Sequence, residues 1–337
     1  MRVSAVIPLY NKARHIGRAI QSVLRQTHTD FELIVVDDGS TDGSGDRVRE
    51  HSDFRIRLIR QENAGVSAAR NLGVASATAS LVAFLDADDE WVPDFLETVL
   101  RLRSQFPAAR VWGTAYAMQQ SAGPFTPVRS VNTEVPCLIN FWAVSASAQP
   151  IHPSSMLVDK GALESAGGFH QTLIRLEDTD MLIRMALRYP IAYWPDVKAI
   201  YHMDSDNRTD GYVYTGCYPF FETARSYLRE CGKAASLPGE AEHYLALMHT
   251  RALRPNWLAG NRAAMREIIH DCRGVRGFKL VCLRWQVASL VPHRLVKAGW
   301  AARAMVARCL GRRGQMQPVR SIYRAANCSG GRNGALR

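Results

Sequence analysis

Long apolar runs and paired cysteines are both missing from this sequence of 337 residues. No hydrophobic stretch approaches the roughly 20 residues that a membrane-spanning helix needs. The first residues lack the basic-then-apolar pattern of a signal peptide, so we expect none. The seven cysteines are odd in number and never spaced as Cys-x-x-Cys, which argues against a disulfide framework or a zinc cluster and favours a reducing compartment. The sequence therefore predicts a cytoplasmic protein.

Glycine-rich phosphate-binding loops are also missing. A Rossmann dehydrogenase carries Gly-x-Gly-x-x-Gly after its first strand, whereas residues 8–13 of this chain read Pro-Leu-Tyr-Asn-Lys-Ala. There is no P-loop, and no glycine-rich basic loop of the sugar nucleotidyltransferase type. A nucleotide would therefore be held largely by carboxylates and backbone groups, with its phosphates bound through a metal ion.

Acidic residues are absent from the last part of the chain. Residues 273–337 contain fourteen Lys and Arg but no Asp or Glu, so the first 272 residues carry a charge of −3 within a net charge of +11. We predict a slightly acidic catalytic domain at residues 1–212 and a basic helical region at 213–337, of which the last ~20 residues are flexible.

The first 200 residues alternate between buried-strand patterns and helical patterns. Near-continuous apolar runs occur at residues 2–10, 31–36 and 81–86, with amphipathic stretches between them. This alternation predicts an α/β fold with an open, mainly parallel sheet flanked by helices, followed by a helical C-terminal region. Residues 119–150 are predicted to form an irregular binding loop or connection, and residues 151–158 a further strand.

Polar residues follow three of the predicted strands, and one of these groups is an acidic turn. The strands end in Pro-Leu-Tyr-Asn at 8–11, Asp-Asp-Gly at 37–39 and Asp-Ala-Asp-Asp at 86–89. Ligands of open α/β sheets bind beyond the carboxyl ends of the strands, so we expect a functional site there. The acidic turn can supply oxygen ligands to Mg²⁺ or Mn²⁺. Alternatively, it is a solvated loop that complements the dipole of the following helix.

Four motifs in this order resemble family 2 glycosyltransferases, which have the GT-A fold. They lie at residues 6–11, 35–42, 62–71 and 84–89, and the similarity continues through 167–169 and 177–180 to about residue 205. The resemblance implies inverting transfer of a hexosyl or N-acetylhexosaminyl group from a nucleotide sugar. There is no Gln-x-x-Arg-Trp signature of processive polymerases, so we expect transfer of one sugar.

The resemblance assigns donor-binding roles to residues near the strand ends. Asp38 corresponds to the carboxylate that hydrogen-bonds the base, usually uracil. Pro8 and Tyr10 are expected to line the nucleoside pocket. Asn63 and Arg70 lie in the segment that flanks the nucleotide.

Metal-binding and catalytic roles fall on later residues. Asp86 corresponds to a ribose or sugar contact and Asp88 to the ligand of Mn²⁺ or Mg²⁺. His202 either completes the metal site, contacts the diphosphate or is structural. Asp178 corresponds to the general base, and Glu177 is the alternative base. From the residues alone, Asp178 also fits a helix N-cap.

The basic tail leaves three roles open. Arg294, Lys297 and Arg308 fall on one side of a predicted helix, a pattern typical of an anionic membrane surface. Simple packing on the catalytic domain is the second interpretation. Nucleic-acid binding is not expected, because basic and aromatic residues are not interleaved.

Together these features predict an enzyme of polysaccharide, lipopolysaccharide or glycolipid biosynthesis. Its acceptor would be a glycan or a lipid-linked molecule. The enzyme itself would lie at the inner face of the cell membrane. The alternative is a non-catalytic nucleotide-sugar-binding or scaffold protein that retains the fold. A general base at Asp178 argues against that alternative, because a binding protein does not need one.

Overall fold

The computed structural model describes residues 1–290 except 121–122, 129, 205–215 and 231–236. Within these residues the strands are β1 (Val3–Leu9), β2 (Phe31–Asp37), β3 (Ile56–Arg60), β4 (Leu81–Phe84), β5 (Glu90–Trp91), β6 (Val111–Gln119), β7 (Thr126–Pro127), β8 (Cys137–Ile139), β9 (Met156–Asp159) and β10 (Ile191–His202). The helices are α1 (Ile16–Leu24), α2 (Ser44–Arg49), α3 (Val66–Ser76), α4 (Phe95–Gln105), α5 (Phe141–Ser145), α6 (Lys160–Ser165), α7 (Glu177–Ala186), α8 (Phe220–Glu230), α9 (Gly239–Arg251), α10 (Leu253–Ala259), α11 (Arg262–Cys272) and α12 (Lys279–Ser289), and Pro153–Ser155 is a 3₁₀ turn.

The described strands form one mixed sheet in the order β3-β2-β1-β4-β9-β6-β10-β5. The first four strands of this order are parallel, β9 is antiparallel to both of its neighbours, and β6 and β10 are parallel to each other. Two short strands lie off this path: β7 pairs with β6, and β8 pairs with β10. The predicted open, mainly parallel sheet is therefore confirmed.

The central strands are buried on both faces. Alternate residues of a strand point to opposite faces, and here Val6 belongs to one hydrophobic cluster while Ala5 and Ile7 belong to another. Helices α1 and α4 cover the second cluster, and α3, α6 and α7 cover the first. This double cover explains why β1 and β2 read as continuous apolar runs rather than as alternating ones.

Helix α3 packs very closely on β1. A Cβ atom at Gly73 would lie 2.3 Å from Cγ1 of Val6, so only glycine fits at this contact. The close approach fixes the beginning of α3 near the carboxyl ends of β1 and β2.

The helices after residue 216 share the first hydrophobic cluster with the sheet. Phe220 and Phe221 of α8 and Tyr244 and Leu245 of α9 are buried in it. Residues Met1–Ser289 belong to one compact unit. The predicted boundary at residue 212 lies outside the described residues, as does the basic helix at 294–310, so both stay predictions. Among the described helices, none is long and apolar enough to span a bilayer.

Candidate active site

A cavity of about 750 Å³ lies at the carboxyl ends of β1, β2 and β4. Nine of the ten residues assigned to the site from the sequence line it. They are Pro8, Tyr10, Asp38, Asn63, Arg70, Asp86, Asp88, Glu177 and Asp178. His202 is not among the lining residues.

The loops after β1 and β2 are joined at the mouth of the cavity. The backbone N–H of Asn11 donates to Oγ of Ser40 at 3.1 Å, and Oδ1 of Asn11 accepts from the N–H of Thr41 at 2.8 Å. Asn11 has a φ of +50°, a conformation that asparagine tolerates better than most residues. The side chain of Tyr10, which precedes it, is 46% exposed and can cover a planar group at this mouth.

Asp38 is fixed at the end of β2 by the loop before α3. Its carboxylate accepts from the N–H groups of Ala64 at 2.8 Å and Gly65 at 2.9 Å, and from Nε2 of Gln61 at 2.6 Å. Asn63 donates to the backbone oxygen of Asp38 at 3.0 Å. A carboxylate has about four acceptor positions, so this buried group can accept one further hydrogen bond from a ligand.

Arg70 bridges two carboxylates across the cavity. From α3 it donates to Oδ1 of Asp86 at 2.8 Å and to Oε1 of Glu177 at 2.7 Å. Burial alone would disfavour the charged guanidinium, but Asp86 and Glu177 outweigh it and raise the pKa of Arg70. Arg70 therefore holds the turn after β4 and the start of α7 in one arrangement.

The acidic turn after β4 carries three carboxylates with different surroundings. Oδ2 of Asp88 lies 2.9 Å from Nζ of Lys12, and its backbone oxygen accepts from Arg18 at 2.5 Å. Asp89 is fully buried and accepts from Oγ of Ser154 at 2.5 Å. Burial, with the charges of Asp86 and Asp88, raises the pKa of Asp89 well above its usual range. Asp89 therefore anchors the turn, while Asp86 and Asp88 face the cavity.

His202 lies at the end of β10, against the acidic turn. Its backbone N–H donates to Oδ1 of Asp89 at 3.2 Å, and its Nε2 lies 3.4 Å from Oε2 of Glu90. Burial lowers the pKa of its imidazole. The structure thus gives His202 a place supporting the turn, and its role as a metal ligand stays a prediction.

His152 is a cavity residue that the sequence interpretation missed. Donor atoms of His152, Asp86 and Asp89 all lie within 4.8 Å of one another, and Nδ1 of His152 accepts from the N–H of Ser154 at 3.3 Å. Burial lowers the pKa of this imidazole against the pull of the carboxylates around it, so the ring is neutral at neutral pH. The two carboxylates supply the oxygen donors that Mg²⁺ and Mn²⁺ prefer, and the imidazole lies beside them.

Asp178 and Glu177 begin helix α7 but have different partners. Oδ2 of Asp178 accepts from Nε2 of Gln149 at 3.0 Å, and Oδ1 accepts from the N–H of Thr179 at 2.7 Å. Glu177 is held by Arg70, and burial raises its pKa although Arg70 opposes this. The N-cap of α7 is Leu176, so the interpretation of Asp178 as an N-cap is wrong.

Leu176 adopts a left-handed conformation with a φ of +62° just before the two acidic residues. Such backbone strain in a non-glycine residue costs of order 1–3 kcal/mol and persists where the surroundings enforce it. It turns the chain so that Glu177 and Asp178 both reach the cavity.

A second cavity of about 240 Å³ shares a wall with the first. Asp178, Glu177, His152 and Tyr201 line both of them, while Arg175 lines only the second. Asp178 is therefore accessible from two spaces, one at the strand ends and one beside the 119–150 segment.

Comparisons with known proteins show which family the chain resembles. The glycosyl transferase family 2 model matches residues 4–164. An uncharacterized glycosyltransferase of Nostoc sp. is 40% identical over 141 residues, which is 41% of this chain and 43% of that protein. Glycosyltransferase GlyA of Streptococcus pneumoniae is 37% identical over 126 residues, which is 37% of this chain and 18% of that protein. The chain thus spans less than half the length of these relatives.

Solved structures show the same fold over a longer stretch. The crystal structure of residues 1–349 of S. aureus TarS in complex with UDP-GlcNAc matches with a TM-score of 0.69 and 18% identity, and covers 90% of this chain and 92% of that one. At this identity the match describes the fold alone. Residues 4–164 of this chain therefore match glycosyl transferase family 2, and the fold is the GT-A fold.

Proposed function

We propose that the protein is an inverting glycosyltransferase that moves one sugar from a nucleoside-diphosphate sugar to an acceptor hydroxyl. The observation that carries the proposal is the position of Asp178. This carboxylate lies on the wall between two cavities and is oriented by Gln149 and Thr179. One cavity has the size of a nucleotide-sugar site, and the other offers room for the acceptor.

The larger cavity suits a nucleoside diphosphate sugar. Asp38 has one acceptor position left for a base N–H, and Pro8 and Tyr10 lie beside it along the cavity wall. A uridine donor fits this arrangement, and the TarS complex with UDP-GlcNAc supports the same donor class on this fold. Asn63 and Arg70 complete the nucleotide side.

Asp86 and Asp88, with His152 beside them, would hold the Mn²⁺ or Mg²⁺ ion. When bound, such an ion acts as a Lewis acid on the leaving diphosphate, typically worth several kcal/mol. In the structure the ammonium group of Lys12 forms an ion pair with the carboxylate of Asp88. We propose that this ammonium group moves to the diphosphate when the donor binds, so that its charge also stabilises the leaving group.

Asp178 would act as the general base. Its carboxylate takes the proton of the acceptor hydroxyl while the acceptor oxygen bonds to the anomeric carbon and the bond to the diphosphate breaks on the opposite side. This single displacement inverts the configuration. Glu177 is less suited to the role, because its Oε1 is engaged by Arg70 at 2.7 Å.

The acceptor, the pathway and the location follow from the same proposal. A glycan or a lipid-linked acceptor in surface polysaccharide, lipopolysaccharide or glycolipid synthesis would place the enzyme in the cytoplasm, at the inner face of the membrane. The basic residues after 273 are the part of the sequence that favours this location.

The test separates donor binding from transfer. The purified protein is screened for thermal stabilisation by nucleotide sugars with and without Mn²⁺, and then assayed for transfer to lipid-linked acceptors. Replacing the base (Asp178→Asn) should leave donor binding unchanged and lower turnover roughly 10²–10⁴-fold. Asp196→Asn is a matched control on β10, because Asp196 does not line either cavity.

Two results would contradict the proposal. If Asp178→Asn transfers sugar at the parent rate, Asp178 is not the base. If the parent protein binds a nucleotide sugar but transfers it to no acceptor in the panel, the non-catalytic binding protein is the better description.

A further inference from the structure

A second cluster of metal-ligating side chains lies in the helical region, apart from the candidate active site. Donor atoms of Cys217, His249 and Asp271 all lie within 4.8 Å of one another. Cys217 precedes α8, His249 belongs to α9 and Asp271 belongs to α11. Three separate elements therefore bring a sulfur, a nitrogen and an oxygen donor to one point.

The orientation of His249 is the strongest sign of a ligand. This residue is only 1% exposed, and its Nε2–H donates to the backbone oxygen of Tyr218. That hydrogen bond leaves Nδ1 with a lone pair, and Nδ1 has no hydrogen-bond partner although it is buried. The nearest carboxylate oxygen, Oδ2 of Asp271, is 3.8 Å away. Histidine ligands of metals are typically oriented in this way, with the other ring nitrogen bonded to a carbonyl.

Acidic residues surround the same point. Glu267 lies one helical turn before Asp271 on α11 and hydrogen-bonds the thiol of Cys217. Glu222 on α8 adds a third negative charge near Asp271, against the positive charge of Arg225. A cation can therefore enter with carboxylates beside it, and Glu267 is placed to become a fourth ligand.

We propose that Cys217, His249 and Asp271 form a binding site for Zn²⁺, with Glu267 as the fourth ligand. A thiolate and an imidazole among the donors favour zinc over the all-oxygen preference of Mg²⁺. Zinc bonds are about 2.0–2.3 Å long, so the donor atoms must draw together by roughly 1 Å. The thiol proton is released to solvent when the sulfur binds the ion.

A zinc ion here fastens the segment before α8 to helices α9 and α11. It is separate from the catalytic ion, because none of its ligands lines the candidate active site. Cysteine spacing could not reveal such a site, since it uses a single cysteine and ligands 32 and 22 residues apart in the sequence.

Cobalt provides the probe for this site. The full-length protein is stripped of metal with a chelator and titrated with Co²⁺. We expect tetrahedral visible bands and a near-ultraviolet thiolate-to-cobalt band that saturate at one equivalent and disappear when one equivalent of Zn²⁺ is added. Cys217→Ser should remove the near-ultraviolet band, and Asp271→Asn should weaken Zn²⁺ binding at least roughly tenfold.

Two control variants make the result specific. Cys137→Ser changes a cysteine in β8 outside the cluster and should keep every band, and Asp88→Ala should do the same because it changes only the candidate active site. Circular dichroism of the metal-free variants shows whether each is folded. The proposal is overturned if the parent protein gives no thiolate band, or if that band persists in Cys217→Ser.

Discussion

Arg70 is the residue that joins the turn after β4 to the start of α7 in the candidate active site. One buried guanidinium forms ion pairs with both Asp86 and Glu177. Its planar fork can bond both carboxylates at once, which a lysine ammonium cannot do with the same geometry. The position of Asp178, the proposed base, therefore depends on a side chain that does not itself take a proton.

Replacing Arg70 with lysine should destabilise the protein and slow transfer. The variant keeps the charge but loses at least one charge-assisted hydrogen bond, worth about 1.5–3 kcal/mol in a buried setting. Urea denaturation gives the loss of stability, and steady-state kinetics give the loss of turnover. Arg101→Lys is the control, because the Arg101–Glu97 pair is exposed and should change stability by less than about 0.5 kcal/mol. An unchanged urea midpoint for Arg70→Lys would disprove the bridging role.

Single residues show where sequence interpretation succeeds and where it stops. Asp38 and Asp86 were identified because they follow buried strands, and the structure places both in the cavity. Their individual roles stay predictions. His152 and Ser154 were not identified, because they contact the acidic turn from a segment more than 60 residues later, and no local spacing reports such a contact.

At the scale of elements, the contact between α3 and β1 sets the position of the loop that holds Asp38. Gly73 lies directly against Val6. The same helix begins one residue after Gly65, whose N–H is bonded to Asp38. A helix displaced from the strand would move that loop away from the end of β2.

Adding one methyl group at this contact should therefore destabilise the fold. Gly73→Ala is expected to cost about 1–3 kcal/mol through overpacking, even though alanine favours helices. Gly17→Ala in α1 is the matched control, because nothing lies within 4 Å of its added Cβ. That variant should gain up to about 1 kcal/mol. Urea midpoints that move in the same direction for both variants would contradict the close-packing argument.

Element types were predictable where the hydrophobic pattern was long, and less so near the site. The strands β1, β2 and β4 follow the predicted segments. The predicted strand at residues 151–158 is wrong in its first half, where Pro153–Ser155 form a 3₁₀ turn. The apolar pattern does not show that Ser154 must turn inward to donate to Asp89.

At the scale of the whole molecule, the alternation of strands and helices was enough to predict the fold class. It could not predict how the helices after residue 216 pack, because the sequence shows that a helix has an apolar face but not which surface that face packs against. In the structure they complete the core on one face of the sheet. The charge contrast between residues 1–272 and residues 273–337 is a property of the sequence that the described fold does not explain.

We expect that contrast to direct the protein to anionic membranes. The full-length protein should float with vesicles containing anionic lipid and not with neutral vesicles. Reversing Arg294, Lys297 and Arg308 to Glu should weaken binding by at least roughly 100-fold, at about 1 kcal/mol per cation. The control reverses three exposed cations of the body (Arg47, Arg49 and Arg101) and makes the same change in net charge. Equal loss of flotation in the two variants would rule out a specific role for the tail.

The bridge made by Arg70 also has a consequence for the order in which the site assembles. Its partner Asp86 is 16 residues away along the chain, whereas Glu177 is 107 residues away. Closing the longer loop costs roughly 1.5–2 kcal/mol more chain entropy. During synthesis from the N-terminus, strands β1, β2 and β4 are complete about ninety residues before Glu177 is made. The cavity wall at the ends of these strands can therefore form first, and the arrival of Glu177 at a guanidinium already in place brings Asp178, the proposed base, to the cavity.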